Sequence, residues 1–195
     1  MKIDNQMKKI QKISYYLSLI FNIAIVMTPL FLIAQWIFIS LKAAHPSNPI
    51  IEILDQIIIT PEGSIRLSTV EWTPLSQLLG FCADFIGTLP FFISLFFFKK
   101  LFSHYTDGKI FTQENASIYR KLGLLYLVNA LFIKLLSDAL MTVAVTMNNL
   151  AGNRYLSISF GTTHVITLFY GVLILVISWI MQEASRLHDE EQLTI

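Results

Sequence analysis

From Ser14 to Leu41 the chain runs through 28 positions without one charged residue. About 20 apolar residues cross the hydrocarbon core of a bilayer, so this run is long enough to cross with tilt. Three further apolar stretches follow, at Pro74–Phe102, Leu122–Met147 and Thr162–Met181. Composition agrees: 54% of residues are hydrophobic and 14% charged, where a soluble domain carries about a quarter charged. Basic residues precede the first run, as they would in a cleaved signal peptide. The run is longer than an h-region of about 7–15 residues, however, and Lys42 stands where a small cleavage-site residue belongs. The reading is an uncleaved transmembrane helix, with Pro29 removing one of its backbone hydrogen bonds. Pro90 does the same in the second span.

The expected fold class is an all-α integral membrane protein with four transmembrane helices, forming a single membrane domain over residues 1–195. The spans fall at about 14–41, 74–102, 122–147 and 162–181. Between the first two lies the one long connection, residues 42–73. His45-Pro-Ser-Asn-Pro49 breaks the helix there, and Ile50–Gln56 fits a short amphipathic helix. Ile57–Thr60 and Ile65–Trp72, on either side of Pro61-Glu-Gly-Ser64, read as two strands of a hairpin, the second on a weak period-two pattern. Residues 103–121 form a second connection and residues 182–195 an acidic amphipathic tail.

Cations set the orientation. The amino-terminal segment, the connection after span two and the tail share one side and hold ten Lys and Arg. The other side holds three: Lys42, Arg66 and Arg154. The positive-inside rule then places both termini and the Tyr105–Lys121 segment in the cytoplasm and the hairpin outside.

Charge within the spans is the strongest site signal. Asp84 lies ten residues into span two, while span three carries Lys134 and Asp138 thirteen and nine residues before its end at Met147. At 1.5 Å per residue the three fall within about 6 Å of one another in depth. Lys134 and Asp138, four apart, share a helix face, and Gln35 of span one reaches the same layer. A lone Lys or Asp at a helix centre costs about 2.5–3.5 kcal/mol on insertion scales, so Lys134 is expected to face the bundle and pair with Asp138, Asp84 or both. Such a cluster serves as an ion or proton relay, as a small-ligand site open to the outside, or as a charge network fixing helix register. Gly80, Ala83 and Gly87 share a face that admits another backbone, which offers a homodimer seam.

No catalytic or metal-ligating arrangement stands out. His45, His104, His164 and His188 are scattered, with no Cys or carboxylate at ligand spacing, and no glycine loop cradles a phosphate. The expectation is no enzyme, no cofactor and no metal. A formal net charge of +1 gives no reason to expect direct nucleic-acid binding. The single cysteine, Cys82, sits in an apolar run and reads as a small packed residue.

Asp107-Gly108 reads as a turn, with Gly108 free to take positive φ. Thr112 reads as an N-cap with Glu114 in the first helical turn. Here the residues are recognisable. Tyr105-x-x-Gly108-x-Ile110-Phe111-Thr112-x-Glu114-Asn115, then Arg120-Lys121-Leu122-Gly123, resembles the central motif of a bacterial four-span membrane family catalogued as domain of unknown function 2975. The ending Glu191-Gln192-Leu193-Thr194-Ile195 is similar to that family's closing signature, and the resemblance extends over nearly the whole chain. It implies a multi-pass protein of the bacterial inner membrane and supplies no activity. It also implies a cytosolic partner in a small helix-turn-helix regulator.

Two functions are carried forward. The first is a regulatory or interaction protein coupling the membrane to a cytoplasmic partner, its acidic tail either docking that partner or latching onto the Tyr105–Arg120 segment. The second is a small transporter or ion conductor using Asp84, Lys134 and Asp138, which four spans would support as a homodimer.

Overall fold

The computed structural model describes residues 2–42, 57–60, 63–150, 153–158 and 160–193. Four helical stretches are long and apolar enough to cross a membrane: Asn5–Ile39, Pro74–Thr106, Gln113–Thr146 and Thr162–Glu190. They belong to α1 (Lys2–Lys42), α2 (Pro74–Thr106), α3 (Gln113–Val128), a π-helical turn (Asn129–Ile133), α4 (Lys134–Thr146) and α5 (Thr162–Leu193). The third crossing is α3, the π turn and α4 in succession. Both α1 and α2 continue through their internal prolines, Pro29 and Pro90.

The helices outrun the apolar stretches that announce them. The basic amino-terminal segment is the opening of α1, and the acidic tail is the end of α5 rather than a separate piece. Hydropathy marks where lipid would be, whereas backbone hydrogen bonding carries a helix on through polar residues into water.

In the connection, β1 (Ile57–Thr60) pairs antiparallel with β2 (Gly63–Arg66), in a register from Ile57 opposite Arg66 to Thr60 opposite Gly63. Gly63 takes a φ of +135°, a conformation that side chains disfavour. The second strand is shorter than the alternation over Ile65–Trp72 implies, because Leu67–Thr69 winds into a 3₁₀ turn. Leu67 is fully buried, Thr69 Oγ1 donates to the Arg66 carbonyl at 2.8 Å, and Trp72 Nε1 donates to the Leu67 carbonyl at 2.8 Å. Burial of Leu67 and these side-chain bonds outweigh a weak strand pattern. The helix break at His45–Pro49 and the amphipathic Ile50–Gln56 lie outside the described residues.

The chain groups into two compact units. One comprises Met1–Met27, Pro90–Leu131 and Thr162–Ile195; the other comprises Thr28–Leu89 and Phe132–Gly161. In the first, α3 packs along α5. A Cβ on Gly123 would meet Leu175 at 2.7 Å and the Gly171 carbonyl at 3.0 Å, and one on Gly171 would meet Leu127 at 2.8 Å. Only glycine allows two helices this close. Leu101, Ile118 and Leu122 form the buried centre, and Phe21 of α1 stacks on Phe98 and Phe102 of α2.

In the second unit, Leu32, Trp36, Ile39, Leu67, Ala83, Met141 and Val145 make the core, so the hairpin segment closes over the helices through Leu67. The segment after α4 is stitched to it. Tyr155 N donates to Thr146 Oγ1 at 3.1 Å and Ser157 N to Thr142 Oγ1 at 3.2 Å. Asn148 Nδ2 donates to the Glu71 carbonyl at 2.6 Å and to Ser76 Oγ at 3.1 Å, tying the end of α4 to the start of α2.

Candidate functional site

Asp84 sits on α2 beside fully buried Ala83. Its Oδ2 accepts from Trp36 Nε1 at 3.1 Å and from Gln35 Nε2 at 3.4 Å, both donors coming from α1. Gln35 and Trp36 are themselves buried. An ionised carboxylate is an acceptor only, and both of these N–H donors converge on the same oxygen, Oδ2. Trp36 is locked in turn by edge-on contacts with Trp72 and Phe81, at ring-centroid distances of 5.2 and 6.4 Å. Its six-membered ring lies against Gly80, so closely that a Cβ there would overlap it.

On α4, Lys134 Nζ donates to Asp138 Oδ1 at 2.6 Å, a pair four residues apart along one helix face. Ser137 lies between them in sequence. Its Oγ donates to the Ala83 carbonyl at 2.9 Å and stands 2.5 Å from where a Gly87 Cβ would be. The structure thus brings Gln35 to Asp84 and Lys134 to Asp138, and it joins the two helices through Ser137 and Ala83, the residues adjoining Asp138 and Asp84. Trp36 and Ser137 escape sequence reading, one as an apolar aromatic and the other as a small residue. The available signal was the indole N–H, which seeks an acceptor when buried. The proposed dimer seam needs correction. Gly80 is covered by Trp36 and Gly87 by Ser137, so that small-residue face is filled from within the chain.

A second constellation joins the end of α2 to the start of α3. Gly108 takes a φ of +77°, and its N–H donates to the Tyr105 carbonyl at 3.1 Å while Lys109 N donates to the His104 carbonyl at 2.9 Å. These bonds close the carbonyl end of α2. Thr112 caps α3, its Oγ1 accepting from Asn115 N at 3.2 Å. Asn115, fully buried, then donates through Nδ2 to the Lys109 carbonyl at 2.7 Å and the Ile110 carbonyl at 2.8 Å. With both amide hydrogens spent, Asn115 Oδ1 is left to accept, so His104 Nδ1 carries the proton in their 2.7 Å contact. Tyr105 and Tyr119 meet hydroxyl to hydroxyl at 2.9 Å. Glu114 Oε1 pairs with Lys100 Nζ at 2.6 Å, and Glu114 Oε2 lies 3.8 Å from His104 Nε2.

Most of the motif residues therefore have a structural task. Gly108 turns the chain, Thr112 and Asn115 hold the turn, Tyr105 bonds Tyr119, Glu114 holds Lys100, and Gly123 admits α5. Phe111 and Arg120 are exposed. His104, Tyr119 and Lys100 complete the network and are not singled out by the sequence. Of the closing residues, Thr194 and Ile195 lie outside the described residues, as do the side chains of Glu191 and Leu193. Among the described residues no three His, Cys, Asp or Glu side chains come together as a metal-binding group.

The model of a family described as protein of unknown function, DUF2975, matches residues 66–195. The chain belongs to this family. The DUF2975 stretch begins within β2, and so covers less of the chain than the resemblance suggests. No curated protein and no solved structure matches the chain. The DUF2975 stretch contains the capped turn together with Asp84, Lys134, Ser137 and Asp138. Gln35 and Trp36, which supply the hydrogen bonds to Asp84, come from α1 outside it.

Proposed function

We propose that this DUF2975 protein is a multi-pass protein of the bacterial inner membrane, with both termini cytoplasmic, acting as a regulatory or interaction protein for a cytosolic partner such as a small helix-turn-helix regulator. One observation carries the reading. The last helix runs unbroken for 32 residues, Thr162–Leu193, about 48 Å at 1.5 Å per residue, against roughly 30 Å of hydrocarbon. Its acidic end therefore extends well past the lipid as a ready-made handle, carrying exposed Glu183, Arg186, Leu187 and Glu190. The latch alternative finds less support. Where α5 meets the Tyr105–Arg120 segment the bond is a neutral one, Ser178 Oγ donating to the Ala116 carbonyl at 3.0 Å. Arg186 pairs within α5 with Glu183 and Glu190, and Glu114 pairs with Lys100. Affinity capture from membranes carrying the full chain, against a chain ending at residue 181, tests this. Loss of a cytosolic partner on truncation is expected; an unchanged set of partners refutes it.

A homodimeric transporter or proton conductor is the second reading, favoured by three ionisable side chains inside one compact unit. Against it, Lys134 is neutralised within its own helix and Asp84 is held by fixed donors. A register-fixing network accounts for both. Flux into liposomes that falls with Asp84→Asn or Asp138→Asn would restore the conducting reading.

A further inference from the structure

The turn end of the first unit carries a band of exposed cations placed as a continuation of exposed apolar stripes. On α3, Arg120 and Lys121 stand one turn before Leu124, which leads on to Val128 and Leu131, all exposed. On α1, Lys9 and Lys12 stand one turn before Ile13 and Tyr16, also exposed. On α2, exposed Lys99 follows exposed Phe96 by three residues. The helical period puts each cation on the same face as the apolar residue three or four positions away. If those stripes meet acyl chains, the cations sit at the headgroups. The three helices reach this level together, since Phe21 stacks on Phe98 and Phe102, and a Cβ on Gly108 would lie 3.2 Å from Gln11. Nearby acids leave the band positive. Glu114 pairs with Lys100, and among the described residues exposed Lys8, Lys9, Lys12, Lys99, Lys109, Arg120 and Lys121 outnumber exposed Asp107, Asp189 and the one carboxylate by which Glu183 and Glu190 exceed Arg186.

We propose that this band is a binding surface for anionic phospholipid headgroups, with Arg120 and Lys121 at its centre. Paired cations at headgroup depth bind phosphate with charge-assisted hydrogen bonds, and arginine does so bidentately. Juxtamembrane cations attract an anionic leaflet strongly enough that each is worth about fivefold in affinity. The inference is independent of any cytosolic partner, because it concerns the lipid-facing sides of these helices.

Native mass spectrometry of the full chain released from nanodiscs of mixed phosphatidylglycerol and phosphatidylcholine tests it. The wild type is expected to retain phosphatidylglycerol selectively. Arg120→Gln with Lys121→Gln should cut that selectivity by an order of magnitude or more. Lys9→Gln with Lys12→Gln gives a second variant on another helix, expected to move the same way, while Arg154→Gln in the other unit should leave the ratio alone. Equal retention of both lipids by the wild type overturns the proposal. So does selectivity that neither paired variant changes, or that Arg154→Gln changes as much.

Discussion

Asn115 is fully buried and uses its backbone N–H, both hydrogens of its amide and its amide oxygen. Asn115→Ala strands the Lys109 and Ile110 carbonyls and the His104 N–H, all in part-buried contacts. Each unsatisfied group costs about 1–3 kcal/mol, so a loss of roughly 2–4 kcal/mol is expected, read as a lowered unfolding midpoint of the purified chain in detergent. Asn115→Asp keeps the shape but turns an acceptor toward those carbonyls, and should be at least as damaging. The Lys134–Asp138 pair responds differently. Asp138→Asn leaves the ammonium with a neutral neighbour and should cost on the order of 2–3 kcal/mol. Replacing both, Lys134→Met with Asp138→Leu, should recover most of that loss, because a matched apolar pair needs no compensation. Unfolding of the four members of this cycle measures the coupling. Asp84, Lys134 and Asp138 are legible in the sequence because hydrocarbon makes any charge conspicuous. Trp36 and Ser137 are not, because their roles depend on which helix lies opposite.

Among elements, the crossing of α3 and α5 depends on two glycines. Gly123→Ala places a methyl group 2.7 Å from Leu175, and overpacking of this kind costs about 1–3 kcal/mol. Thr112→Ala, which removes only a cap, should cost about 1 kcal/mol. Unfolding midpoints that rank these two in the opposite order would count against the packing argument. The π turn Asn129–Ile133 takes up one residue more than an α-helical turn. The four crossings are readable from hydropathy alone, but this turn is not, because Asn129-Ala-Leu-Phe-Ile133 is ordinary helical sequence. The helix ends are equally hidden, since α1 and α5 continue through residues that composition assigns to water.

For the whole molecule, the chain's path fixes which segments share a side. With Cys82 replaced by serine, single cysteines at Ser64 in β2 and at Ser117 near the start of α3 should be labelled by an impermeant maleimide from opposite faces of sealed vesicles. Labelling from the same face would overturn the four-crossing path. The sequence supports that path because cations gather on one set of connections. It places Gln35 in the layer of Asp84 but not the indole of Trp36, and these two donors come from α1, before the matched family region begins. That arrangement has a practical corollary. The union of the first crossing with the second is made by side chains gripping one another, indole and amide to carboxylate, with Leu67 and Trp72 of the intervening segment packed against them. Severed there and produced as two polypeptides, the fragments should find each other within the bilayer, and swapping Trp36 for phenylalanine should weaken their reunion.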